Sequence, residues 1–296
     1  MPDWGLQQPK ARMFFLLGWL FHRGFLHSPD PAGWLEIGPK VCVSFLPSTP
    51  LRSLYEALVC GVDLPAGEER RLFIDSGLIH VMVVSGSHLV FLESFMARMG
   101  SRLRLVLLSG YAFLVGFQAP VTRALLRRFL APGLARRWAP TALQIEAATA
   151  LLALLLYPPW LFSRSFLMSW MCGLALSAPR VLRRHPNLDV ALKCFVFLWP
   201  FTAASILTVA WNVILAPAIG ILLFPACVLA AVIPPLHILT DGLWNGLIEI
   251  LRSGPLAEPW PVFFKSTELW WVPAAAHLLL MVAEVRWRRA FAFSYS

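Results

Sequence analysis

The longest run of this chain without a single Asp, Glu, Lys or Arg extends from Cys194 to Thr240. A helix that crosses the hydrocarbon core of a bilayer needs about 20 mostly apolar residues, so this run alone could supply two. The whole chain agrees, because only 14% of its residues are charged, against roughly a quarter in soluble proteins. The sequence therefore predicts an all-α, polytopic integral membrane helical bundle.

The rest of the chain divides into apolar blocks with short polar or basic connections. Several blocks are too short for a straight span, which favours broken or re-entrant helices around a protein-lined or watery cavity. The blocks are expected at about 103–118, 141–157, 165–178, 190–211, 213–233, 237–251 and 269–285.

Two regions follow from this division: a lead, residues 1–50, and a membrane domain, residues 51–296. The lead is rich in Pro and Gly from residue 24 onward and is expected to be irregular, with a short extended piece at Val41–Leu46. The apolar run Met13–Phe21 follows a basic flank without a signal-peptide cleavage site. This run predicts a short interfacial or partly inserted helix.

Basic residues lie in clusters between the apolar blocks, and the net charge of the chain is +9. Such clusters mark cytoplasmic loops, but they would also attract an anionic ligand or polymer, and both interpretations stay open. Basic runs flank the block 103–118 on both sides, so either this block is re-entrant or one run is an interfacial helix. Arg123, Arg127 and Arg128 lie among leucines and a phenylalanine, which favours a basic amphipathic helix.

The cysteines form neither a CxxC pair nor a Cys/His spacing typical of metal ligands. We therefore expect neither a disulfide framework nor a metal site, and most of these residues are expected to behave as small hydrophobes. The cysteines are Cys42, Cys60, Cys172, Cys194 and Cys227.

Several ionisable or amide side chains lie in apolar surroundings, where each is expected to face a cavity or a partner because burial in a membrane is expensive. One of them, Asn212, separates two apolar blocks and could cap a helix there. The set is Asp75, His80, His88, Glu93, Arg123, Glu146, Arg164, Asn212, His237, Asp241 and Glu249.

Small and polar residues are concentrated in the segment 75–89, DSGLIHVMVVSGSHL. His80 and His88 lie about 80° apart around an ideal helix, and no third metal ligand is near in sequence. A backbone carbonyl could bind each ring, or the rings could line a path. Gly86, between two serines, indicates a helix break or a close backbone approach rather than a nucleophile elbow. With no motif for nucleotide or metal binding, the sequence predicts no enzyme, catalytic residue or cofactor.

Four segments, in order, resemble the ComEC competence proteins. LYEALVCGVDLP…RRLFIDSGLIHVMVVSGSHLVFL is similar to the family's Gly-x-x-His and Ser-Gly-x-His patterns, and GFQAPVTRALL to its Gly…Pro-x-x-Arg-Ala stretch. SRSFLMSWMCGLAL resembles its Phe-x-x-Ser segment, and SILTVAWNVILAPAIGILLFP its Asn-bearing segment. The matching residues are Gly77, His80, Ser85, Gly86, His88, Gly116, Pro120, Arg123, Ala124, Phe166, Ser169, Asn212 and Pro217.

The resemblance implies a multi-pass channel in the bacterial inner membrane that imports transforming single-stranded DNA. It implies single-stranded DNA and the lipid bilayer as partners, together with a separate nuclease and a cytoplasmic DNA-translocating ATPase. The mouth is expected at Arg127 and Arg128, where phosphates would bind. The residues expected along the DNA path are Gly77, His80, Ser85, Gly86, His88, Arg123 and Asn212.

The chain departs from the family pattern in three respects. Ser87 stands where the family often has a larger apolar residue, the lead is too short for an OB-like domain, and no zinc-hydrolase motif is present. The chain thus resembles a competence domain standing alone. Alternative hypotheses are a small-solute transporter, a membrane-embedded enzyme using Ser85 or the histidines, and a truncated, non-functional remnant of a longer competence protein.

Overall fold

The structure is a computed structural model that describes residues 31–82, 86–178, 181–182, 184–201, 207–254 and 269–292. Every regular element in these segments is helical, as predicted. Ser85 and the helix predicted at Met13–Phe21 lie outside the described residues. The α-helices are α1 Pro31–Ser44, α2 Arg52–Tyr55, α3 Glu68–Asp75, α4 Ile79–Met82, α5 Gly86–Phe95, α6 Ser101–Leu114, α7 Ala119–Trp138, α8 Ala142–Leu156, α9 Arg164–Ser177, α10 Pro186–Leu198, α11 Leu207–Ala218, α12 Phe224–Val232, α13 His237–Ser253 and α14 Val272–Ala292.

The end of the lead is a helix, so the prediction of irregular chain with an extended piece at Val41–Leu46 was wrong for residues 31–44. Pro31 stands at the start of α1, where its missing N–H is not needed, and the helix continues through Pro39. Gly38 allows α1 to pack closely on α6, since a side chain there would collide with the backbone at Phe113. Tertiary packing here outweighs the poor helix propensity of Pro and Gly.

A disulfide joins Cys42 at the end of α1 to Cys60, the last residue of the π-helical turn Glu56–Cys60 that follows α2. Their Cα atoms lie 5.7 Å apart, and Cys60 follows Cys42 by 18 positions in the chain. The expectation that no disulfide forms was therefore wrong for this pair, because pairing depends on tertiary contact rather than on local spacing. Cys172, Cys194 and Cys227 are free thiols.

Helices α6 and α7 form a hairpin whose turn, residues 115–118, contains the left-handed residues Gly116 and Phe117. The Tyr111 hydroxyl donates to the Val59 carbonyl at 3.2 Å, and the Gln118 amide donates to the Gly61 carbonyl at 2.6 Å. The hairpin turn therefore lies beside the disulfide. The basic run before block 103–118 lies at the open end of this hairpin, and the basic run after it lies in the second helix, α7. The two runs therefore do not mark the two ends of one membrane span.

The prediction of a basic amphipathic helix at Arg123–Arg128 was wrong for α7. Val121, Thr122 and Arg123 are buried, and α7 packs against α5, α8 and α9. Arg123, Arg127 and Arg128 are each paired with a carboxylate of a neighbouring helix, so this part of α7 is an internal element of the bundle rather than one lying at an interface.

The longest apolar helix runs without interruption from Thr208 to Val232 and includes a π-helical turn at Ile219–Leu223. Among the described residues it is the one helix with the length and composition to cross a membrane, while Ala142–Leu156 and Val272–Val285 are apolar but shorter. Large apolar side chains on its outer surface are exposed, notably Ile214, Ile221, Leu222 and Val232.

Three apolar clusters hold the described helices together. The first joins α1–α4 to α11–α13, and the second joins α7–α9 to Leu198, Phe201 and Leu269. The third consists of α5, α6 and α7. Helix α5 also packs on the first cluster through Phe91 and Leu92, and α7 also belongs to the second. The junction of α5 and α7 thus connects the two larger parts of the core.

Side chains of α10 hold the basic connection between α9 and α10 in place. One Asp189 carboxylate oxygen accepts the backbone N–H groups of Val181 and Leu182, and Lys193 binds the other at 2.7 Å. The hydrogen bond from the Leu182 N–H and the bond from Lys193 hold the pKa of Asp189 below its ordinary value. The carboxylate therefore keeps this connection in place at neutral and mildly acidic pH.

Candidate functional site

The glycine- and histidine-bearing segment is interrupted at Gly77, between the end of α3 at Asp75 and the start of α4 at Ile79. This broken segment continues through α4 and includes α5, and residues 83–85 lie outside the described part. Gly77, just before α4, has a φ of +72° and contacts α11, where an added Cβ would lie 2.6 Å from the Thr208 Cβ. Only glycine adopts this conformation readily and leaves room for the threonine.

The second half of the segment packs on two other helices. An added Cβ at Gly86 would lie 3.1 Å from the Ala124 Cβ of α7, so the backbones of α5 and α7 approach closely. His88 is 1% exposed, and its ring meets the Phe224 ring edge-on, with centroids 4.7 Å apart. Further along, Phe91 fills the space over Gly220. This segment is enclosed on several sides.

His80 is half-buried and lies on α4, three residues after Gly77. In the part of the chain that the structure describes, no group of three or more His, Cys, Asp and Glu side chains could hold a metal ion.

Arg123 lies at the centre of a buried ionic cluster between α7, α8 and α9. It forms an ion pair with Glu146, whose other carboxylate oxygen binds Arg127. Its Nε donates to the Ser169 hydroxyl at 3.0 Å, and its Nη2 donates to the Ser169 carbonyl at 2.6 Å. Gly173 makes room for the pair, since an added Cβ would lie 2.6 Å from the Arg123 Nη1.

A second ionic cluster lies beside the first on α7. Arg128 forms an ion pair with Glu93 of α5, and Arg104 of α6 approaches the same carboxylate at 3.8 Å. Arg128 is half exposed, whereas Glu93 is mostly buried. Arg127 and Arg128, predicted to bind phosphate at a mouth, thus each share a carboxylate with another arginine.

Asn212 lies within α11 rather than between two helices, so the prediction of a helix boundary there was wrong. Its side-chain amide donates to the Thr208 carbonyl one turn earlier at 2.7 Å, which satisfies the polar group without a break. Since Thr208 is also the residue that meets Gly77, Asn212 stands one turn from the glycine contact.

The four segments singled out by resemblance meet in space. The broken segment contacts α11 through Gly77 and α7 through Gly86, and α7 in turn binds Ser169 of the Phe-x-x-Ser segment through Arg123. The predicted candidates therefore fall into two neighbouring groups, one around Gly77 and Asn212 and one around Gly86 and Arg123. Ser85 lies outside the described residues.

Sequence reasoning did not assign the two carboxylates that organise this site. Glu146 and Glu93 were recognisable as acidic residues in apolar surroundings, but no local pattern relates either one to an arginine. Gly173, four residues after Ser169, likewise has no sequence signal that distinguishes it from other glycines in apolar helices.

Changing Gly77 to alanine is expected to lower the free energy of unfolding by about 2 kcal/mol, because the new methyl group adds left-handed strain and displaces Thr208. Gly110→Ala in α6 is the matched control, since a Cβ there meets nothing within 4 Å. That change should stabilise the protein by about 0.5 to 1 kcal/mol. Unfolding in detergent micelles, followed by tryptophan fluorescence, measures both. Equal effects of the two variants would contradict the close contact at Gly77.

These observations define a helical protein that has, among its described residues, one helix long and apolar enough to cross a membrane, and ionic clusters beside the broken segment. The chain belongs to the competence protein family, whose family model matches residues 66–289. The resemblance to the ComEC competence domain is thereby confirmed. No curated protein and no solved structure matches the chain significantly.

Proposed function

We propose that this protein forms the inner-membrane channel, or part of the channel, that imports transforming single-stranded DNA during natural competence. The observation that carries this proposal is the junction at which the four family segments contact one another in series, in a chain that belongs to the competence family. Gly77 meets α11, Gly86 meets α7, and Arg123 of α7 binds Ser169 of α9. A DNA strand in a bilayer needs polar or positive groups along its path, and the arginines of α7 supply positive charge at this junction.

In this proposal the helices form a multi-pass bundle in the inner membrane. Exposed apolar side chains on several helices support it, including Leu151, Leu155, Leu278 and Leu279. The interruption at Gly77 between α3 and α4 suits a broken element that lies within protein rather than in lipid. Several apolar helices shorter than a full span are then accommodated beside the long helix Thr208–Val232.

Two features support one orientation of this bundle. Disulfides form outside the reducing cytoplasm, so Cys42, Cys60 and the adjacent α6–α7 turn would face the periplasm. Arg102 and Arg104 lie at the opposite end of α6, about 20 Å away for a helix of 14 residues. Basic residues favour the cytoplasmic side, so the two features agree.

In this proposal the described conformation is a closed state of the channel. Gly77 and Gly86 each bring two backbones together at distances that leave no room for a nucleotide. Passage of DNA therefore requires the broken segment to separate from α7 or α11. We propose no chemical reaction at this site: a cytoplasmic DNA-translocating ATPase would supply the driving force, and a separate nuclease would degrade the complementary strand.

Deletion of the gene is expected to abolish transformation while DNA still adsorbs to the cell surface. Complementation with wild-type protein should restore transformation, whereas His80→Ala should not, because the resemblance to the ComEC family places His80 on the DNA path. His185→Ala is the matched control, since His185 is exposed at the start of α10. Immunoblots establish equal protein levels. Transformation at the wild-type frequency in the deletion strain would remove the proposed function.

A further inference from the structure

Each of the two ionic clusters on α7 contains one carboxylate and two guanidinium groups. Glu146 pairs with Arg123 and Arg127, and Glu93 pairs with Arg128 and Arg104. Each carboxylate thus neutralises one of two guanidinium groups, and each cluster retains one positive charge. Adjacent residues of α7 carry the accessible members of the two clusters.

The first cluster has an enclosed side and an open side. Glu146 is 0% exposed, and both of its oxygens bind arginine. Arg123 is also enclosed, between Ser169 and Gly173, where no side chain separates it from the α9 backbone. Arg127 is 38% exposed, so the surplus charge of the cluster resides on a guanidinium that another anion can reach.

We propose that Glu146 is a resident counterion that occupies the anion position on Arg127 until a phosphate group of the DNA strand replaces it. Guanidinium binds carboxylate and phosphate through the same paired N–H donors, so either anion fits the same position. A binding site along a conduction path must also release its ligand readily. A built-in competitor keeps phosphate binding weak, while Arg123 remains fixed by Ser169. This inference rests on the proposed function.

The test uses the full chain in nanodiscs of neutral lipid and a fluorescent single strand of about 20 nucleotides. Binding is measured by anisotropy between about 50 and 200 mM salt. Glu146→Gln should tighten binding at each salt concentration. It should also steepen the plot of log affinity against log salt by about 0.7, the change expected for one more phosphate neutralised on a single strand.

Glu249→Gln is the charge-matched control, because Glu249 also pairs with an arginine, Arg252, but is exposed. It should leave the salt slope unchanged. If folded Glu146→Gln protein binds with unchanged or lower affinity and slope while the wild type binds DNA, the counterion inference is wrong and the proposed function stands. If the wild type does not bind single strands at all, the proposed function itself is wrong.

Two further arms complete the test. Should Glu146→Gln fail to fold, Arg127→Gln replaces it, and the slope should become shallower by about 0.7; an unchanged slope would overturn the inference. Nanodiscs that contain phosphatidylglycerol test whether a lipid phosphate takes the position instead. If the gain from Glu146→Gln disappears in these discs, the anion on Arg127 is a lipid headgroup, and the assignment to DNA fails.

Discussion

Replacing Arg123 by alanine is expected to lower the free energy of unfolding by about 3 to 5 kcal/mol, the usual effect of breaking a buried ion pair. The guanidinium connects three helices, through Glu146 of α8 and the hydroxyl and carbonyl of Ser169 of α9. Its removal leaves the Ser169 groups without this donor and leaves a cavity beside Gly173. Unfolding in detergent micelles, followed by tryptophan fluorescence, measures the loss.

The neighbouring arginine provides the comparison. Arg127→Ala removes the same functional group from the same carboxylate, but this side chain is partly solvated and Glu146 keeps its bond to Arg123. We expect a loss of at most about 1 kcal/mol. Arg123→Lys should restore only part of the stability, because an ammonium group cannot reproduce the planar fork. Equal losses for the two alanine variants would contradict a buried anchor at Arg123.

Loss of the Cys42–Cys60 disulfide is expected to lower the free energy of unfolding by about 3 kcal/mol, because the bond closes a loop of 18 residues in the unfolded chain. The double variant Cys42→Ser, Cys60→Ser should therefore unfold at a lower midpoint than the oxidised wild type. The measurement is the unfolding midpoint of both proteins with and without a phosphine reductant.

The reductant supplies an internal control. It should shift the wild type to the midpoint of the double variant and leave the double variant unchanged, since the remaining cysteines are free thiols. An oxidised wild-type protein whose midpoint does not respond to reductant would show that the bond does not form. Mass spectrometry of the peptides that contain Cys42 and Cys60 decides the point directly.

The helical content and most helix positions could be predicted because an apolar block indicates a segment that is buried in protein or in contact with lipid. The block predicted at 141–157 is α8, Ala142–Leu156, and the block at 237–251 is α13, His237–Ser253. The prediction was wrong where a local signal has a tertiary alternative. The position of Asn212 between two apolar blocks predicted a helix cap, yet its side-chain amide donates to a carbonyl of its own helix. Pro39 reads as a helix breaker, yet α1 continues through it.

The candidate site was predictable in its members but not in its organisation. Resemblance selected Gly77, Gly86 and Arg123, and the structure places them at one junction. That Arg123 binds a buried carboxylate could not be inferred, because Glu146 follows it by 23 positions and no helical periodicity relates the two. Ion pairs between helices depend on how the helices cross, which apolar patterning leaves open.

The α6–α7 hairpin also bears on how the chain enters a bilayer during synthesis. Residues 105–122 form most of α6, the turn and the first residues of α7, and they include no charged side chain. Inserting this unit exposes no ion to hydrocarbon, whereas each Arg or Lys at the centre of a span costs about 2.5 to 3.5 kcal/mol. Under the proposed membrane location, this turn half of the hairpin can therefore enter the bilayer without an ion, whereas the rest of α7 carries Arg123, Arg127 and Arg128 and would enter with the carboxylate partners of these arginines.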